Sequence, residues 1–233
     1  MNAQRLSERL TRVASYVKPG AIVADIGSDH AYLPCYLIHH QIAEKAIAGE
    51  VAKGPYESAR KQIKQEQLEG NITVRFANGL QAITHEDLVD TVTIAGMGGP
   101  LIATILDQDS DRLTTVNRLI LQPNIHAKAI REWAIGNDWK LVAEEVVQED
   151  DKIYEILVLE RGTMTLSDTE ALMGPFLIKD AQNEVFRLKW KRETAEWMRI
   201  LEAIRVAGLS PEVQMKKEEL EDKLKIVKDV LGA

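Results

Sequence analysis

The sequence predicts a doubly wound α/β fold: a mostly parallel sheet closed at one edge by an antiparallel hairpin, followed by a pair of long helices. Three observations predict it. Five short apolar runs alternate with helical patterns over the first part of the 233 residues. Two strand patterns then succeed each other across the short acidic turn Gln148-Glu-Asp-Asp151, a link too short for anything but an antiparallel pair. Beyond Arg161 the apolar period changes to steps of three and four, which is helical.

Residues 3 to 17 place Leu6, Leu10, Val13 and Val17 at helical spacing, with Arg5, Arg9 and Arg12 together on a neighbouring face. Strands are expected at 22 to 25, 46 to 49, 72 to 76, 89 to 95 and 118 to 122, with helices at 56 to 67 and 127 to 136 between them. The hairpin pairs residues 140 to 147 with 152 to 159. From Pro175 to Gly208, Phe186, Trp190, Trp197, Ile200 and Ile204 mark one long amphipathic helix that Gly208 would end. Ser210 then reads as an N-cap and Pro211 as a first helical residue, with Leu220, Leu224, Val227 and Leu231 continuing the spacing. Residues 1 to 161 are expected to form one domain and 162 to 233 a coiled-coil-like helical hairpin.

The composition, 45% hydrophobic and 28% charged, is that of a globular protein with a real core. Cys35 is the single cysteine, so no internal disulfide and no cysteine-only metal site is expected, and a reducing cytoplasm is the default. No apolar run approaches the roughly 18 residues of a membrane span, so neither secretion nor insertion is expected. A formal charge of −7 argues against wholesale coating of nucleic acid but not against a local basic face. The acidic surplus lies before residue 162, with 17 basic against 23 acidic side chains, whereas Arg187-Leu-Lys-Trp-Lys-Arg192 is a local cationic cluster.

The most informative segment is the first strand with its succeeding loop. An apolar run ends in Asp25, Gly27 lets the backbone turn sharply, and a helix begins beyond it; that helix aims free N–H groups at whatever the loop holds. A dinucleotide fold asks for G-x-G-x-x-G, but Asp29 and Tyr32 stand in the later glycine slots, with His30 between them. The D-x-G-x-G-x-G pattern of Rossmann-like S-adenosylmethionine (SAM) methyltransferases fits Asp25 and Gly27 and meets Asp29 and Ala31 at its later positions. The hairpin edge favours the methyltransferase topology over an oxidoreductase that binds a nicotinamide cofactor.

The remaining strand ends supply the other candidates. Glu50 closes the second strand, where a carboxylate can accept both ribose hydroxyls of a nucleoside; a surface glutamate before a helix is the alternative. Asn78-Gly79 comes after the third strand, where an amide could read an adenine edge, although such a turn suits any loop. Ala95-Gly-Met-Gly-Gly-Pro100 ends the fourth, leaving bare backbone against which a substrate could lie. Leu121-Gln-Pro-Asn124 comes after the fifth, with two amides that could grip a base or satisfy loop backbone. The [DN]-P-P-[FYW] motif of exocyclic amine methylation and the nucleophilic cysteine of pyrimidine C5 methylation are both missing. Cys35 reads as a small core residue, and His30 lacks a second ligand at metal-binding spacing.

Taken together, Leu6-Ser-Glu-Arg-Leu10, Asp25-Ile-Gly-Ser-Asp-His-Ala-Tyr-Leu-Pro34, Ala48-Gly-Glu-Val51, Lys53-Gly-Pro55, Asn78-Gly-Leu80, Ala95-Gly-Met-Gly-Gly99 and Leu121-Gln-Pro-Asn124 resemble the bacterial tRNA (adenine-22-N1)-methyltransferase family over nearly the whole chain. The resemblance implies a class I SAM methyltransferase with a seven-stranded sheet and a C-terminal helical hairpin, acting on N1 of an adenine in the D-arm of tRNA. It implies that Asp25, Gly27, Ser28, Asp29, His30, Glu50, Val51, Asn78, Gly79, Leu80, Ala95 and Gly96 line the cofactor site. Gly96, Met97, Gly98, Gly99, Gln122, Pro123 and Asn124 would face the target base, with the Asp29 carboxylate beside the cationic product. Arg5, Arg9 and Arg12, and Arg187, Lys189, Lys191 and Arg192 of the second cluster, are the candidates for tRNA phosphates. No metal and no membrane are expected. A SAM-liganded RNA-binding module without turnover is the rival reading, and the hairpin could instead mediate a homodimer.

Overall fold

The computed structural model describes residues 2–207 and 210–232 and divides into two compact units between Thr165 and Leu166. In the first unit, helix α1 (Glu8–Ser15) precedes strand β1 (Ala21–Ile26), α2 (Tyr32–His39), β2 (Ala43–Glu50), α3 (Lys53–Gln65) and β3 (Ile72–Phe76). After two short 3-10 turns come β4 (Thr91–Gly98), α4 (Gly99–Gln108), a further 3-10 turn, β5 (Arg118–Ile125), α5 (Lys128–Gly136), β6 (Trp139–Glu149) and β7 (Lys152–Arg161). The seven strands lie in the order β3-β2-β1-β4-β5-β7-β6. Strands β1 to β5 are parallel neighbours, while β7 runs antiparallel to both β5 and β6.

This order places β1 and β4 side by side with connections leaving in opposite directions, so a crevice opens beyond their carboxyl ends. Two apolar clusters lie side by side on one face of the sheet, since Val23 of the first is the direct register partner of Ala46 of the second and α2 contributes to both. In the first, Val13, Ala14 and Val17 of the N-terminal segment join Leu33, Leu37, Val23, Ile120, Ile156 and Val158. In the second, Ala59 and Ile63 of α3 pack with Ala46, Ala48, Ile72 and Cys35. Burial pushes the Cys35 thiol up to about 12, so it behaves as a small core residue. The fully buried Arg131 of α5 is held between Glu144 at 2.7 Å and Glu155 at 2.5 Å, a pairing that offsets the cost of burying a guanidinium.

Several boundaries differ from the sequence reading. The first helix starts only at Glu8, because Ser7 adopts extended backbone and its hydroxyl accepts from the Leu10 N–H. Arg5 therefore lies outside the helix, in a bridge with Asn2, and the three arginines do not share one helical stripe. Strands β4 and β5 run further than expected and take in Ala95 to Gly98 and Gln122 to Ile125, so the two motifs expected after these strands are themselves paired.

In the second unit the helix expected from Pro175 to Gly208 begins only at Glu184, as α7 (Glu184–Ala207), and α6 (Asp168–Met173) and a 3-10 turn precede it. Ser167 and Glu170 form a reciprocal capping box that starts α6, and the chain leaves it at Gly174 with a φ of 92°. Gly208, expected to end α7, lies outside the described residues. Helix α8 (Pro211–Leu231) starts as expected: the Ser210 hydroxyl accepts from the Val213 N–H and proline occupies the first turn. Helices α7 and α8 pack antiparallel, and Phe186, Trp190, Leu220 and Val227 are buried within the unit.

Candidate active site

The carboxyl ends of β1, β2, β4 and β5 bring most of the expected residues to one edge of the sheet. Asp25 is buried at the end of β1, and its carboxylate accepts from the Ser28 hydroxyl at 2.6 Å and the Thr93 hydroxyl at 2.6 Å. Burial raises its pKa, against the pull of the two hydroxyls. Asp25 therefore braces the loop from inside, and Ser28, itself buried, is its partner. Sequence reasoning passes over Thr93, because a threonine in a parallel strand reads as ordinary β-propensity.

The loop that Asp25 braces is held in a left-handed conformation. Gly27 has φ 73°, and Asp29, His30 and Ala31 take 33°, 62° and 54°. The three non-glycine residues cost about 1–3 kcal/mol each in this region and persist where surrounding contacts fix them. Here the Gly27 and Ser28 N–H groups donate to the Gly49 carbonyl at 2.9 and 3.3 Å. The Asp29 N–H donates to the Glu50 carboxylate. The chain thus turns back on β2 before α2 begins. A Cβ at residue 27 would strike the Met97 methyl, so Gly27 and Met97 bring the ends of β1 and β4 into contact.

Glu50 is 5% exposed at the end of β2, and burial sets its carboxyl above the ordinary value. Val51 beside it is exposed, as is Phe76 at the end of β3, where its ring meets Tyr56 edge-on at 5.5 Å. Gly79 takes φ 53° in the turn after Asn78, with Ile105 directly behind it. Leu80 is wholly buried and anchors that turn to the core. The Asp29 side chain is exposed, with His30 Nε2 at 3.6 Å.

The Gly96 region is the most specific geometry of the edge. The β4–β5 register pairs Ala95 with Gln122 and Met97 with Pro123, so Gly96 is the extra residue of a bulge, and its φ of 81° suits glycine. Its N–H donates to Gln122 Oε1 at 3.0 Å and its carbonyl accepts from Asn124 Nδ2 at 2.7 Å. Gln122 is fully buried, whereas Asn124 is exposed. Gly99 opens α4 with no room for a side chain, since a Cβ would meet the His126 carbonyl. Thus β4 and β5 together present a bare, paired backbone floor with one exposed amide beside it.

The expected phosphate contacts fall out unevenly. Arg9 turns inward: its Nη1 donates to Gln122 Oε1. Arg12 pairs with Glu8 at 2.9 Å and lies 3.5 Å from Glu145. In α7, Lys191 and Arg192 are exposed, Arg187 and Lys189 are half-buried, and Trp190 is core. Among the described residues no cluster of three or more histidine, cysteine or acidic side chains is placed to hold a metal, and no helix is long and apolar enough to cross a membrane.

A seven-stranded sheet in this order, with an acid, a glycine turn and a second acid at its switch point, defines the Rossmann-like fold of SAM methyltransferases. The family model described as tRNA (adenine(22)-N(1))-methyltransferase matches residues 23–229, and the chain belongs to that family. It is 44% identical to the tRNA (adenine(22)-N(1))-methyltransferase of Bacillus subtilis, over 99% of both chains. Among solved structures, the Streptococcus pneumoniae protein Sp1610 in complex with S-adenosyl-L-methionine is 44% identical with a TM-score of 0.88, covering 97% of this chain and 100% of that one. Mycoplasma capricolum TrmK in complex with S-adenosyl-homocysteine is 26% identical with a TM-score of 0.82, over 97% and 98% of the two chains.

Proposed function

We propose that this protein transfers a methyl group from SAM to N1 of adenine 22 in tRNA. The observation that carries the reading is the juxtaposition at one sheet edge of a nucleoside-binding half and a bare-backbone half. The first half consists of Glu50 and the left-handed Gly27 loop, the second of the Gly96 bulge clamped by Gln122 and Asn124. Family membership and the ligands of the solved relatives support the same assignment.

The residues present fit the cofactor. Glu50 offers a buried carboxylate of the kind that accepts a ribose diol, and Gly27, with a φ of 73° and the Met97 methyl where a Cβ would stand, allows the tight turn that a side chain would block. Asp25, Ser28 and His30 shape that loop, Val51 and Phe76 offer apolar surface for a purine, and Asn78 with Gly79 borders its edge. When bound, SAM supplies an electrophilic methyl on a sulfonium.

The protein's own part is mostly positioning. Adenine N1 carries an in-plane lone pair and needs no base to become nucleophilic. Holding it in line with the methyl is worth several kcal/mol as avoided disorder. Because N1 lies on the Watson–Crick edge, the base must leave any pairing before it reacts, and the floor from Gly96 to Gly99 gives it backbone to lie against. The exposed carboxylate of Asp29 provides a counter-charge for the methylated base. Arg5, Arg187, Lys189, Lys191 and Arg192 serve the phosphates, and the second unit contributes to tRNA binding.

Labelled methyl transfer from SAM to unmodified tRNA, with nuclease digestion and nucleoside chromatography of the product, tests the reading. N1-methyladenosine is expected, and it should vanish when adenine 22 is replaced by guanine. SAM binding without label in any tRNA would instead favour an RNA-binding module that has no turnover.

A further inference from the structure

We propose that Arg9 is a positioning residue for the target base, acting through Gln122 to fix which atoms Asn124 turns towards the adenine. The proposal rests on the reading above that the base lies beside Gly96 and Asn124.

Arg9 stands in the first turn of α1, where its N–H donates to Glu149 Oε1 at 3.2 Å. Its guanidinium carbon lies 5.2 Å from the centre of the Tyr154 ring. Its Nη1 donates to Gln122 Oε1, while its Nε is buried with no hydrogen-bond partner among the described residues. A phosphate ligand needs its donors turned to solvent. This guanidinium is stacked on a ring and turned towards a buried amide.

The consequence is a chain of fixed polarity. Gln122 Oε1 accepts from Arg9 Nη1 and from the Gly96 N–H, so its Nε2 must face the other way, towards the Pro123 carbonyl at 2.8 Å and Asn124 Oδ1 at 3.4 Å. A flipped Gln122 would set its NH2 group against two donors. Asn124 inherits the order: its Oδ1 lies on the Gln122 side and its Nδ2 donates to the Gly96 carbonyl. Arginine remains charged at any relevant pH, so its permanent donor joins the Gly96 N–H in holding Gln122 Oε1, and the orientation of the exposed amide depends on both.

What Asn124 keeps is one N–H and one oxygen lone pair, the donor and acceptor combination that an asparagine uses on adenine N7 and N6. That edge is the chemically suitable one. N1 must stay open to the methyl, so recognition has to come from elsewhere on the base, and guanine offers two acceptors where adenine offers a donor and an acceptor.

The test compares single-turnover methyl transfer at saturating SAM on tRNA carrying adenine or 7-deazaadenine at position 22. Loss of N7 should slow the wild type by about ten-fold. Arg9→Met should be slowed by about ten-fold on adenine, keep its tRNA affinity and the salt dependence of that affinity, and lose nothing more on 7-deazaadenine. Weaker tRNA binding with a shallower salt slope would make Arg9 a phosphate ligand and overturn the proposal. So would a full 7-deaza penalty in Arg9→Met. Gln122→Glu keeps acceptors for Arg9 and Gly96 but cannot donate to Asn124, so it too should ignore the loss of N7; it decides the matter if Arg9→Met fails to bind SAM. Asn124→Ala at the wild-type rate on adenine would remove the base placement itself, whereas a slow Asn124→Ala beside a fast Arg9→Met would remove only the relay.

Discussion

Glu50 joins burial and charge in a way that gives its titration a definite sign. Burial is the largest influence on its carboxyl and favours the protonated form, the Asp29 N–H opposes it, and the charges of Asp25 and Asp29 add to the upward push. The folded protein therefore holds this proton more tightly than an unfolded chain does. The resulting stabilisation is present below the usual glutamate value of 4.5 and is lost as pH rises through the raised value. Cofactor binding has the opposite sign, because a carboxylate that accepts two ribose hydroxyls must be ionised. SAM affinity, measured by calorimetry, should fall on acidification with a midpoint above 4.5, and Glu50→Gln should bind more weakly but without that acidic limb. Glycines at the same edge divide by what lies behind them. Gly99→Ala drives a Cβ into the His126 carbonyl, backbone that cannot step aside cheaply; a loss of about 2 kcal/mol in thermal stability is expected, together with loss of methyl transfer. Gly54, in the first turn of α3, faces open space, and Gly54→Ala should change stability by no more than about 1 kcal/mol.

At the scale of elements, α1 is defined by its cap. The Ser7 hydroxyl accepts the Leu10 N–H at 3.4 Å, and Ser7→Ala should cost about 1 kcal/mol in a denaturant melt. The same cap sets where Arg9 begins its reach towards Gln122, which explains why the sequence misplaced that arginine. Three arginines at compatible spacing look like one face if the helix starts early, and only the extended backbone at Ser7 separates Arg5 from the other two. The strands were legible because Val, Ile and Leu runs alternate with helical spacing, and the hairpin because the acidic turn is short; the link is in fact only Asp150 and Asp151, with Gln148 and Glu149 paired in β6. Asp25, Gly27 and Glu50 were legible because strand ends confine their options. Thr93 and the Gly96 bulge were not, since a hydroxyl that reaches across to β1 and a one-residue register shift leave no periodic trace. Helix α6 and the late start of α7 were hidden for a related reason: the buried apolar Leu172, Met173 and Leu177 form no long periodic run, because the chain turns at Gly174 between them and α7 begins only at Glu184.

On the scale of the whole molecule, the acidic surplus of the first 161 residues contrasts with the cationic run at the start of α7. An RNA polyanion is attracted by local charge, and each phosphate neutralised adds to the salt dependence of binding. Within that run the residues differ in kind. Trp190 is 2% exposed and meets Phe186 and Trp197 at centroid distances of 6.1 Å, so Trp190→Ala removes core and should lower the melting temperature of the second unit. Lys191 and Arg192 are exposed on the same helix, and replacing both with alanine removes charge while leaving that core in place. For Lys191→Ala with Arg192→Ala, tRNA affinity should fall for all tRNAs alike, and the slope of its logarithm against that of salt concentration should shrink by about 1 to 2. SAM affinity, which belongs to the sheet edge, should not move. A double variant that loses turnover at unchanged tRNA affinity and slope would place these cations outside the RNA interface, leaving the charge of α7 a solvated helix face.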